Sequence, residues 1–303
     1  MRHLYALVFE PGFFASAQVQ SAAVIGAMVA AVSAVTGIFT VMRGQSFGGH
    51  ALTDVSTAGG SGALLAGMSP VTGFVGLSII GAVVMEAIGA RQARGRDLAT
   101  GIVLGAAIGL GALFLYLDTT AGATTGATQQ ILFGSIFSIS SGMLPLMAAF
   151  SAIALGGIAL VYRPLLLATV STDMAAARGV PVRMVGIVYV LALAVSVGLS
   201  SLVIGSILST ALLIGPAAAA LRVTKRTGRA LVVAIVTGIG ATWLGVLLAY
   251  DSYYWGSAQQ GLPASFFIVA LVLAAYLLSG LAATRTAAAA RETAVPALSG
   301  SAR

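Results

Sequence analysis

Apolar runs of about twenty residues, the length that crosses a bilayer core of about 30 Å as a helix, follow one another along the chain with short polar or glycine-rich breaks between them. The pattern predicts spans near 17–41, 51–67, 71–90, 98–117, 142–162, 184–201, 203–221, 230–249 and 262–283. Eight or nine crossings are expected, and the fold class is an all-α polytopic membrane protein. Two segments are ambiguous. The Gly-rich run at 51–67 is short for a full crossing. Residues 184–221 read either as two spans with a tight turn at Ser200–Ser201 or as one span and a re-entrant piece.

Composition places the chain firmly in that class. Of 303 residues, 59% are hydrophobic and 8% charged, and the mean hydropathy is +1.04, far from a soluble domain. Residues 1–283 form one transmembrane domain, and 284–303, rich in Ala, Ser and Thr, read as a disordered tail. The opening MRHLYALVFEPGFFASA fits an interfacial lead-in better than a signal peptide. Glu10 and Pro11 interrupt its apolar stretch, and Phe9, Phe13 and Phe14 suit the headgroup boundary. The absence of cysteine excludes disulfides, thiolate metal sites and Cys nucleophiles.

Charge then fixes an orientation, because basic loops stay cytoplasmic. With nine spans, 14 of the 15 Lys and Arg residues fall on one side, together with the C-terminus, and only Arg2 falls opposite. The loops 118–141 and 250–261, expected outside, carry no Lys or Arg but hold Asp118 and Asp251, which read as solvated loop acids, with receiving a binding protein or attracting cations as the other reading. The net charge of +7 is thus a topology signal that needs no nucleic acid. The aromatic residues of YDSYYW at 250–255 suit an interfacial belt.

The chemistry concentrates in SFGGHALTDVSTAGG, residues 46–60, which holds one of two histidines and one of eight carboxylates. On a helix, the spacing of four puts His50 and Asp54 on one face. An Asp inside a membrane costs at least ~2.5 kcal/mol on insertion scales and marks a functional candidate. The pair either lines an ion path or forms an ion pair that only braces the helix near Arg43. Two donors do not close a metal site, so water, backbone carbonyls or the same pair from a second copy would complete it. Glu86 and Asp97 lie near the cytoplasmic ends of their spans, where they reach the interface or meet Arg91, Arg94 or Arg96, with a place on the ion path as the other reading. In the excursion 163–183, Asp173 is placed to cap a short helix through Ala175–Ala177 that ends at Gly179, with Pro181 opening the next segment.

TDMAAARGVPVR (172–183) and SLVIGSILSTALLIGPAAAALRVTKR (201–226) resemble the permease subunit of metal-importing ABC transporters, which take up manganese, zinc or iron(II). The similarity extends, in family order, to VMRGQSFGGHALTDVSTAGG, DLATGIVLGAAIGLG, ILFGSIFSIS and QQGLPASFFIV, from about residue 20 to residue 280. It implies a permease of the cobalamin-importer-like type in a bacterial plasma membrane. It also implies coupling to the ATPase through 163–183, with Asp173, Ala177, Arg178 and Gly179 at the contact, and a gate or packing role for Gly215 and Pro216. These permeases carry an Asp followed four positions later by a His; here His50 stands at the Asp position and Asp54 at the His position.

The resemblance further implies a second permease copy, cytoplasmic ATP-binding subunits and an extracytoplasmic metal-binding protein as partners. The cargo would be a divalent ion, with no tightly bound cofactor. The chain itself lacks a P-loop: its one lysine, Lys225, sits in VTKRTG. Two other classes remain open: an ABC permease for a siderophore-like or cobalamin-like chelate, and a secondary transporter, which would show internal repeats and coupling acids. No HExxH or GxSxG pattern points to an intramembrane enzyme.

Overall fold

The computed structural model describes residues 16–89, 93–121, 126–134, 136–253 and 261–294. Among them are twelve α-helices and no strand: α1 Ala17–Met42, α2 Ser46–Leu65, α3 Pro70–Gly89, α4 Ala93–Ala121, α5 Ala127–Phe133, α6 Leu144–Leu160, α7 Tyr162–Val170, α8 Thr172–Ala177, α9 Val182–Ile204, α10 Ser206–Val223, α11 Thr227–Ser252 and α12 Ala264–Ala294. Eight of these, α6 with its 3-10 lead-in, are long and apolar enough to cross a membrane. The ninth long helix, α2, is the Gly-, Ser- and Thr-rich segment whose crossing the sequence left open, and it is nonetheless a regular 20-residue helix. Its composition lowers its hydropathy because its work is close contact. Gly59 faces Gly73 of α3, and Gly60 faces the Phe74 ring, so tightly that a Cβ at either position would overlap its neighbour. Small residues bring helix backbones together in this way where lipid supplies no hydrophobic drive.

α1 runs through the centre of the molecule against α9, α10 and α11, while α2 packs on α3 and α4. The turn from α1 to α2 uses Gly44 at φ +65, the left-handed residue that closes a helix. The next break corrects an expectation. Ser200 and Ser201 are buried inside α9, and Ser200 Oγ donates to Ser196 O at 2.8 Å, a bond that keeps serine within a helix. The chain turns instead at Gly205, φ +94, which sits back to back with Gly134, φ +84. Ser33 of α1 lies beside Ser200 and Thr36 beside Ser196. At about 1.5 Å per residue in each helix, the end of α9 therefore reaches about the midpoint of α1.

Within the segment expected to be an outside loop, 118–141, the described residues include helix. α4 continues to Ala121, and α5 places Leu132 and Gly134 on the Gly205 turn. Asp118 and Asp251 are accordingly not solvated loop acids: both lie in the last turn or so of α4 and α11, only 7% and 5% exposed. Helix ends that pack against α5 and α12 bury what a bare loop would have left in water. At the opposite end, two short helices, α7 and α8, fill the excursion 163–183. The cap of α8 is Ser171, whose Oγ accepts from Met174 N at 3.2 Å, while Asp173 lies in the first turn; this corrects the expected cap by two residues. Either position suits an oxygen side chain at a helix start. Gly179 has φ +75 and Pro181 precedes α9, as expected. The tail read as disordered from 284 is helical to Ala294; residues 295–303, like the lead-in 1–15, lie outside the described residues.

Candidate ion site

α2 brings the two predicted ionisable residues to one face, because its helix is unbroken from Ser46 to Leu65. His50 is exposed and Asp54 half-buried, on a helix whose other residues from Ala51 to Ser61 are buried. Among the described residues no hydrogen bond or ion pair within 4.0 Å joins the two side chains. His50 instead turns to α10: its Nδ1 lies 3.2 Å from Thr210 Oγ1. Thr210 Oγ1 lies 3.4 Å from Thr53 Oγ1, which accepts from Ser209 Oγ at 3.2 Å and donates to Gly49 O at 3.2 Å. Ser201 Oγ of α9 extends the chain to Ser209 at 3.4 Å. Gly49 lets α10 come this close, since a Cβ there would press on Leu213.

Sequence reasoning found His50 and Asp54 but missed Thr53, Ser209 and Thr210. A signal was present on α2 itself: positions 50, 53, 54, 57 and 61 are all polar, a helical stripe at spacings of three and four. Thr57 and Ser61 continue it, each satisfied by the carbonyl four residues back at 2.8 Å. Thr210 lies 160 residues away in sequence from His50, and only the fold brings it in.

The other predicted residues lie apart. Glu86 is half-buried and shares a cavity of about 260 Å³ with Arg43, Met85 and Thr100, against the opposite side of α2. The Arg43 guanidinium lies over the Tyr189 ring at 4.9 Å. Asp97, Arg91, Arg94 and Arg96 have side chains outside the described set. Gly215 packs against Val272 of α12, and the buried Pro216 lies near Gly238 of α11. A larger cavity of about 630 Å³, at the end where α1 begins and α11 finishes, is lined by Gln129, Gln130, Tyr250 and Tyr253, with no charged side chain among the described residues. No three His, Asp or Glu side chains converge among the described residues. One imidazole and one carboxylate thus lie beside a ladder of hydroxyls, and two such donors alone do not close a coordination site.

Among the described residues, eight helices long and apolar enough to cross a membrane, with few ionisable side chains between them, define a polytopic membrane protein. It matches the ABC 3 transport family over residues 16–283 and belongs to it. It is 32% identical over 237 residues to the manganese transport system membrane protein MntC of Halalkalibacterium halodurans, covering 77% of this chain and 79% of that one. It is 28% identical over 257 residues to a protein of Haemophilus influenzae named for iron transport, covering 83% and 92%. Its fold matches PsaBC from Streptococcus pneumoniae, solved in complex with Fab, with a TM-score of 0.75 and 24% identity over 92% of this chain and 95% of that one. The helical arrangement is thus that of an ABC permease, and the chain is a membrane protein of the ABC 3 transport family.

Proposed function

We propose that the chain is the membrane subunit of an ATP-driven importer of Mn(II), Zn(II) or Fe(II), with His50 and Asp54 on the ion path. The observation that carries this is the pair's geometry: two ionisable side chains share one face of a mostly buried helix, unpaired with each other, one exposed and one half-buried in the single protomer. A face left open in one copy is where a second copy can complete the coordination, so the working unit is a homodimer. The relatives named for manganese and iron transport support a metal cargo, and a donor set of imidazole and carboxylate favours a bare divalent ion over a chelate. The reversed order of the pair relative to the family keeps the same two donor types on one face.

ATP is hydrolysed by separate cytoplasmic subunits that press on α7 and α8, with Asp173, Ala177, Arg178 and Gly179 at the contact. An extracytoplasmic binding protein delivers the ion, and the membrane is the bacterial plasma membrane with the C-terminus cytoplasmic. The test is Mn(II) uptake by cells that express the permease with its partner subunits. His50→Ala and Asp54→Ala are each expected to lower uptake by roughly tenfold or more, at least as much as losing an outer partner of a metal ligand. Permease level and co-purification of the ATP-binding subunit should be unchanged. Parental uptake by both variants in an assembled complex would overturn the ion-path reading.

A further inference from the structure

We propose that Thr210 is a positioning residue for His50: its hydroxyl oxygen accepts a hydrogen bond from Nδ1–H and leaves Nε2 with the lone pair that meets the ion. The inference rests on the ion-path reading and adds to it which nitrogen is the donor and what holds it there. It follows from counting protons along the hydroxyl ladder. Each hydroxyl has one proton to give and two lone pairs to receive. Thr53 Oγ1 donates to Gly49 O at 3.2 Å, a shorter contact than the 3.4 Å to Thr210, to which either hydroxyl could donate; assigning the Thr53 proton to the nearer carbonyl makes Thr53 the acceptor outside its own turn. Ser209 donates to it at 3.2 Å, sharing that proton with Ser206 O at 3.3 Å. At 3.4 Å, Thr210 is then the donor to Thr53 as well.

With its proton spent, Thr210 Oγ1 offers His50 only a lone pair. At 3.2 Å from that oxygen, Nδ1 must carry the hydrogen of the neutral ring. Nε2 is then unprotonated, and it has no hydrogen-bond partner among the described residues. A ring nitrogen's metal-binding competence is set in this way by the bond its sister nitrogen makes. The direction of the ladder is anchored by the Gly49 carbonyl on α2, while Thr210 itself rides on α10. The same bond therefore orients the ring and ties it to a neighbouring helix.

The chain has two histidines, His3 and His50, so in the His3→Gln background a ¹⁵N-histidine label reports on His50 alone. In the full complex in lipid, at mildly alkaline pH and without metal, the parent ring is expected to show a protonated Nδ1 and an unprotonated Nε2. Thr210→Val should mix the two tautomers and raise the apparent KM for Mn(II) uptake by about tenfold, while Thr210→Ser keeps the hydroxyl and should match the parent in both. A parent ring protonated at Nε2 overturns the assignment, as does a Thr210→Ser variant as impaired as Thr210→Val. These two spectra decide the matter even where Thr210→Val fails to assemble. With His50→Ala defective in uptake, a Thr210→Val change in only one readout also overturns it. Should His50→Ala instead transport at the parental rate, the ion-path reading falls, and the spectrum still decides the tautomer.

Discussion

Two hydroxyl networks run side by side through the interior, and they end differently. Between α1 and α9, Ser33 meets Ser200 at 2.7 Å, Thr36 donates to Ser196 at 2.9 Å, and Thr40 meets Tyr189 at 2.9 Å. All six residues are buried, and the row closes on itself where Arg43 covers the Tyr189 ring. Between α2, α9 and α10, the row Ser201, Ser209, Thr53 and Thr210 begins just as deep but ends on His50, which is exposed. Hydroxyls of one kind thus do two jobs. In the closed row every polar group is satisfied by another helix, as a membrane interior requires, so it fastens α1 to α9. The open row delivers its last bond to an ionisable group with a free nitrogen, beside a half-buried carboxylate.

The largest expected effect breaks the comparison at its functional end. His50→Ala and Asp54→Ala should lose most Mn(II) uptake with little change in thermal stability, whereas Thr36→Val and Ser196→Ala should lower thermal stability and leave uptake per assembled complex near the parental rate. Equal uptake losses from the two sets would show that both rows serve the ion path, and equal stability losses that both are fasteners.

A smaller effect is expected from exchanging the donors. His50→Asp combined with Asp54→His keeps one imidazole and one carboxylate on the same face, one turn apart, and restores the usual family order. Uptake should fall less than in either alanine variant, since the donor types survive, and the preference among Mn(II), Zn(II) and Fe(II) is expected to shift because each donor has moved by a turn. The exchange also removes the Thr210 bond from the imidazole, so recovery should be partial. Complete loss in an assembled complex would mean that position, and not donor type, carries the site.

Much of this was legible before any coordinates, and the reasons differ by region. The spans could be read because lipid demands about twenty apolar residues, and that demand is written in composition alone. His50 and Asp54 could be read because ionisable residues are rare between such runs. Thr210 could not: Thr and Ser are common in membrane helices, and its meaning comes only from a partner 160 positions away. The Gly205 turn was missed for a related reason, since it depends on Gly134 facing it across the fold. Asp118 and Asp251 were misplaced because polar residues between apolar runs look like loops when helices α4 and α11 in fact continue past the apolar stretch.

The smallest expected effect tests the closed row on its own terms. Ser33 and Ser200 are both fully buried or nearly so, and their hydroxyl oxygens lie 2.7 Å apart. Truncating either one removes that bond and leaves the other hydroxyl short of a partner, though Ser200 keeps its bond to Ser196 O at 2.8 Å and Ser33 still receives Ser196 Oγ at 3.4 Å. Those residual bonds keep the single losses modest. A double-mutant cycle of Ser33→Ala and Ser200→Ala isolates the shared term. Interhelical hydrogen bonds in membrane proteins contribute about 0.6 kcal/mol on average and at most about 1.7 kcal/mol, so a coupling of that size is expected in reversible unfolding of the reconstituted protein, with Mn(II) uptake unaffected. Strict additivity of the two truncations would deny the closed row its fastening role. A loss of uptake as deep as that of His50→Ala would join it to the ion path and dissolve the contrast between the two rows.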